Sequence, residues 1–133
     1  MPQLKTRPNN GLPAYLASLN DSDRLLCNRL IDFFQPLAAA TPVLWGDVIV
    51  GFGVHNGWPI VAFALRKRAV SLYLSCSLEP YQTALDAIPG ITYSVGCIYA
   101  KTIPWELLER LRPIVIDAIL VTSGQASKGD QKQ

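Results

Sequence analysis

Three basic residues in a row, Arg66-Lys67-Arg68, follow an apolar run, and Lys101 closes another such run further on. Between them Ser71, Tyr73, Cys97 and Tyr99 take alternate positions in two segments of strand composition. Cations at strand ends, with hydroxyls and a thiol along one strand face, make a shallow site suited to a carboxylate or a phosphate. Arg66, Lys67, Ser71, Tyr73, Cys97, Tyr99 and Lys101 are therefore the candidate ligand-binding residues, provided that the two segments share a face. Gly51 and Gly53 on one face of an earlier segment would add bare backbone for a ligand to approach. The plainer alternative is the wet face of an antiparallel sheet, with Tyr and Ser outward and the basic turn solvated.

Other reactive side chains lack the partners that chemistry needs. His55 is the single histidine, and Asp47 lies too far along an extended strand to orient it. A Ser or Cys nucleophile would then need Asp32, Asp86 or Asp117, and no spacing singles one out. Cys97 near Lys101 could be a thiol of lowered pKa or simply a small apolar residue. Cys27, Cys76 and Cys97 are isolated, without the ligand pairs of a zinc site. Glu106 and Glu109 stand three apart beside Arg110 and Arg112, which reads as a solvated helix face rather than an acid–base pair. Trp45, Trp58 and Trp105 read as core or interface residues. A non-enzymatic domain with no assigned catalytic residue is the expectation on balance.

These side chains need a scaffold, and the composition supports one. The chain has 133 residues, half of them hydrophobic and 17% charged, enough for one domain with a single core. The formal net charge of +2 is too small for a nucleic-acid footprint, so no nucleic-acid partner is expected. No apolar run reaches the ~20 residues of a membrane-spanning helix, and MPQLKTRPNN carries no secretory signal pattern. An odd number of scattered cysteines suits free thiols in a reducing cytoplasm.

Periodicity gives the elements. Residues 1–11 are polar with Pro2, Pro8 and Gly11, and read as a mobile arm. Pro13 to Leu19 reads as a short helix. Asn20-Asp21-Ser22-Asp23 is a helix start, since these side chains accept from first-turn N–H groups. Leu26, Leu30, Phe33, Phe34 and Leu37 follow at helical spacing, and Pro36 ends or kinks the helix. Thr41-Pro42 reads as a connection. Val48, Val50, Phe52 and Val54 then alternate with Ile49, Gly51 and Gly53, and Asn56-Gly57 predicts a hairpin. Pro59–Leu65 is almost wholly apolar, which predicts a central strand buried on both faces. Val70, Leu72 and Leu74 alternate with Ser71, Tyr73 and Ser75. A small helix within 78–87 stops at Pro89-Gly90, and 91–101 returns to strand, divided by Gly96. Thr102 would cap a last helix whose stripe is Leu107, Leu108, Leu111, Ile114, Val115 and Ile119, with Pro113 a potential kink. Beyond Val121 the chain is polar.

The order predicts an α+β fold, with a mainly antiparallel sheet and flanking N- and C-terminal helices on one face. A single domain is expected over residues 12–120, with 1–11 and 121–133 as flexible termini.

Several segments carry a family likeness. Trp45-Gly46, Ile49-Val50-Gly51-Phe52-Gly53, Phe63 with Arg66-Lys67, Ser71-Leu72-Tyr73-Leu74, Gly96-Cys97-Ile98-Tyr99 with Lys101, Tyr15-Leu16 and the last-helix leucines together resemble the YdhG-like family of small bacterial domains of unknown function. The likeness spans roughly residues 12–120. It departs at Ala64-Leu65, where Ser-Pro is commoner, and at Ser94-Val95, where Gly-Lys is commoner. The resemblance implies an α+β fold and assigns no activity. Some members are described as frataxin-like intracellular iron chaperones. That role needs clustered oxygen ligands, for which Asp21, Asp23 and Asp32 are the candidates; capping the helix explains the first two equally. The leading functional expectation is thus binding of a small anionic ligand or a protein partner on the sheet face away from the helices, and iron binding is the alternative. The cofactor is unassigned and homo-oligomers are left open.

Overall fold

Asn20 starts the longest N-terminal helix as its side chain suggests: the Asp23 N–H donates to Asn20 Oδ1 at 2.8 Å, and Asp21 and Asp23 lie in the first turn. The computed structural model describes residues 7–67 and 69–122. The two-residue strand β1 (Pro8–Asn9) leads into helices α1 (Leu12–Ser18) and α2 (Asp21–Ala38). Strands β2 (Pro42–Trp45), β3 (Ile49–Phe52), β4 (Val61–Leu65) and β5 (Val70–Leu74) follow as a meander. A 3-10 turn (Glu79–Tyr81) and α3 (Gln82–Asp86) connect to β6 (Ile91–Tyr93), β7 (Cys97–Ala100) and α4 (Trp105–Thr122). Among the described residues the fold is α+β, with a seven-stranded sheet in the order β1-β2-β3-β4-β5-β7-β6. Every strand pair is antiparallel.

Register decides which side chains share a face. Val50, Phe63, Leu72 and Ile98 lie side by side across β3, β4, β5 and β7. Their side chains join the core with Phe52, Val61, Val70, Leu74 and Ala100. All four helices contribute to this one cluster, so they pack on one face. Phe34 on α2 is fully buried, with ring centroids 5.0 Å from Phe33, 5.7 Å from Phe52 and 6.2 Å from Phe63. The Arg29 guanidinium donates from Nη1 to the Ile103 carbonyl at 2.8 Å, which ties α2 to the segment before α4. Arg112 lies over the Phe33 ring at 5.3 Å and pairs through two N–H groups with Glu109, so these charges form a helix surface as expected.

Asn56-Gly57 forms the expected hairpin. Both residues take positive φ, and His55 and Trp58 exchange backbone bonds of 2.7 and 3.1 Å across the turn. That geometry is a type I′ turn, whose twist suits antiparallel strands. The strand after it is central, fourth of seven, and Val61, Ala62, Phe63 and Ala64 are all buried, as its composition predicts.

Several boundaries differ from the sequence expectation. Pro42–Trp45 form a strand rather than a connection. Pro8–Asn9 pair with its outer edge, so this part of the expected arm is tied down. Residues 1–6 and 123–133 lie outside the described residues. Val121 and Thr122 complete α4. Helix α2 passes Pro36 and ends where Ala39 turns left-handed at φ 53°. The proline falls in the last turn, where its missing N–H costs one bond of a helix about to stop. Thr102 does not cap α4. The Pro104 carbonyl accepts from the N–H groups of Leu107 and Leu108, and the helix begins at Trp105.

Candidate functional site

Opposite the helices, Ser71 sits across from Tyr99 and Tyr73 across from Cys97. The four residues therefore share the face that alternation assigns to them. On the same face Ala62 lies opposite Tyr73 and Ala64 opposite Ser71. Arg66 follows two residues after Ala64, and its Nη2 donates to the Tyr73 Oη at 2.5 Å. By register this Arg66–Tyr73 bridge passes over the row of Ala64 and Ser71. Those two residues are accordingly buried, Ala64 at 0% and Ser71 at 4% exposure, although no helix lies above them. Ser71 thus faces the expected side without being open to a ligand.

The glycines behave differently from the expectation of bare backbone. A Cβ on Gly51 would come within 2.8 Å of Cδ1 and Nε1 of Trp45 and of the Pro59 Cβ. A Cβ on Gly53 would come within 2.9 Å of Ile60 Cδ1. The space is therefore filled by the protein itself. Pro59 has no N–H to give to the ladder, so strand pairing breaks after the hairpin turn and Trp58-Pro59-Ile60 folds over the sheet face. The Trp58 ring meets Trp45 edge-on at 6.5 Å, and Ser75 Oγ donates to the Pro59 carbonyl at 2.5 Å. Alternation alone could not show this cover, although a proline two residues past Asn-Gly was a signal for it.

Of the seven candidates Ser71 is buried mid-face, and the other six divide between two ends of the sheet that the Arg66–Tyr73 bond links. The β4–β5 turn, closed by the Arg66 N–H on the Ala69 carbonyl at 2.8 Å, carries Arg66 and Lys67. Because Val70 pairs with Ala100, Lys101 emerges beside this turn. Ala69, Thr92, Tyr99, Lys101 and Thr102 line a groove of about 600 Å³ there. Among the described residues Arg66, Lys67 and Lys101 have no acidic partner in an ion pair. Asp47 stands at the same end of the sheet, in the turn between β2 and β3. Arg68 lies outside the described residues.

At the other end Tyr73 and Cys97 line a groove of about 450 Å³ with His55, Trp58, Cys76 and Val95. Sequence reasoning did not join these, because three separate loops bring them together. Cys76 belongs to the helix side of this groove. Burial chiefly raises its pKa, and the charge of Asp117 raises it further. Tyr81 donates to Asp117 Oδ2 at 2.5 Å beside it, and burial followed by that bond pushes the phenol pKa up. Cys27 is buried in the core and Cys97 is half-buried, and all three cysteines are free. His55 is exposed in its turn.

Asp21, Asp23 and Asp32 do not gather. Asp21 bonds Arg24 at 3.0 Å, and Asp32 is exposed further along α2. Among the described residues no group of three or more His, Cys, Asp or Glu could hold a metal ion. Among them, too, no helix is long and apolar enough to cross a membrane. Compared with known proteins, the chain matches no family model, no curated protein and no solved structure.

Proposed function

We propose that the chain is a non-enzymatic binding domain of the cytoplasm that takes a small anionic ligand at the end of the sheet formed by the β4–β5 turn and the end of β7. Lys101 lines the groove with Tyr99, Thr92 and Thr102, which supply ring surface and hydroxyls, and Arg66 and Lys67 add positive charge from the neighbouring β4–β5 turn. The observation that carries this reading is that the β4–β5 turn bearing Arg66 and Lys67 lies beside the end of β7 bearing Lys101, with no acidic partner in an ion pair to any of the three among the described residues. Such groups lower their own mutual repulsion by binding an anion, and the half-open groove keeps part of the interaction out of bulk screening. The quoted segments support membership of the YdhG-like family beside this reading, and among the described residues no cluster of metal-ligating side chains supports iron binding.

The test is a titration of the full chain with benzoate and with inorganic phosphate, followed by amide chemical shifts at constant ionic strength. Saturable shifts around Lys67, Tyr99 and Lys101, lost in the double variant Lys67→Ala, Lys101→Ala, are expected. Shifts that stay linear with both probes would sink the proposal.

A further inference from the structure

Arg66 differs from the two lysines in being held. A guanidinium has five N–H donors in a plane, and it offers two edges at which a pair of them points the same way: Nε with Nη2, and Nη1 with Nη2. Tyr73 Oη accepts from Nη2 and so uses one of its two hydrogens. Whichever hydrogen that is, one two-point edge stays whole. The bond also fixes a long side chain that would otherwise lose rotamer entropy on binding. Neighbouring small residues make room for this geometry, since Ala62, Ala64 and Ser71 leave the Tyr73 ring and the Arg66 stem free to lie along the face.

Building on the anion reading above, we propose that Tyr73 is a positioning residue that presents Arg66 as a two-point fork, and that the ligand class is a small carboxylate. A carboxylate fills the remaining edge with its two coplanar oxygens. Strong phosphate sites add backbone N–H groups at a helix N-terminus or in a nest. Here the four helices join the core on the opposite face of the sheet, and the α1 group that feels the Arg66 charge is the Tyr15 phenol rather than a row of free N–H groups. Lys67 and Lys101 then act as the surrounding positive field.

The experiment compares benzoate and inorganic phosphate on the full chain as wild type, Tyr73→Phe and Arg66→Lys, with melting temperature as the folding control. The wild type is expected to favour benzoate, with an Arg66 Nε–H signal that shifts on binding. Tyr73→Phe should diminish that shift and weaken benzoate about tenfold, with a clearly smaller loss for phosphate. Arg66→Lys should lose the preference for benzoate, because an ammonium has no two-point edge. Phosphate binding as tight as benzoate in the wild type overturns the carboxylate assignment and leaves the anion reading standing. Full benzoate affinity in Tyr73→Phe overturns the positioning role. Failure of both probes to bind the wild type overturns this inference together with the reading it rests on.

Discussion

Trp45 lies across Gly51, so that the sheet face away from the helices is roofed by an indole where a side chain would otherwise stand. A Cβ at position 51 would meet Trp45 Cδ1 and Nε1 and the Pro59 Cβ, each at 2.8 Å. Trp45 is itself 3% exposed and braced by Trp58, so neither partner can swing away cheaply. Gly51→Ala should therefore destabilise the chain by about 1–3 kcal/mol through overpacking. Urea unfolding would show this as a lower midpoint at unchanged slope; an unchanged midpoint would mean that the indole moves freely.

The sequence shows one half of this arrangement plainly. Alternation at 48–54 and 70–75 separates Val50, Phe52, Leu72 and Leu74 from Gly51, Ser71 and Tyr73, and register keeps them apart. The type I′ turn at Asn56-Gly57 and the central burial of β4 are equally legible, because positive φ and an unbroken apolar run each have a single cause. Non-local partners are what the sequence hides. Pro42–Trp45 hold the strand formers Val43 and Trp45, but the run is only four residues long and opens on a proline, and it becomes a strand because β3 offers a ladder. Ser71 looks like a wet residue in alternation, and its burial comes from non-local neighbours, Tyr99 directly across and the Arg66–Tyr73 bridge beside it. Cys97 and Lys101 are four residues apart, yet they line grooves at opposite ends of a strand.

Asn20 caps α2 with no help from a second side chain at the same N–H. Asn20→Ala would leave the Asp23 N–H without its 2.8 Å acceptor and should cost about 1 kcal/mol. Asn20→Asp should be nearly neutral, since the acid accepts the same bond and suits the helix start. Thermal unfolding of both variants checks the pair. Equal losses in the two would assign the effect to something other than capping.

Phe34 holds α2 against the sheet through its contacts with Phe52 and Phe63 at 5.7 and 6.2 Å. Its side chain is 0% exposed, so removal leaves a cavity that two flanking strands cannot close. Phe34→Ala should cost about 3–5 kcal/mol, a large part of the stability of a small domain. Phe34→Leu should recover most of the loss, because it restores volume without the ring. Chemical denaturation with matched slopes distinguishes a cavity effect from a loosened native state.

Burial pushes the Cys27 thiol up to about 11 from 9.0, and the charge of Asp23 adds to the shift. In the folded chain the thiol then keeps its proton at a pH where the unfolded chain has released it. Between pH 9.0 and about 11 the folded state binds the larger number of protons, so stability falls as pH rises. Below that window the contribution is whole. Tyr15 and Cys76 are also raised, chiefly by burial, and act in the same direction. Melting temperature should accordingly hold steady through neutral pH and decline on the alkaline side, with a shallower decline in Cys27→Ala. Native alkylation with iodoacetamide at pH 8 supplies the independent check, because only thiolate reacts. Half-buried Cys97 should label first and Cys27 only when urea opens the core. Equal labelling rates for the two in the native chain would show that α2 leaves the sheet often enough to expose Cys27, and the alkaline decline would then need another cause.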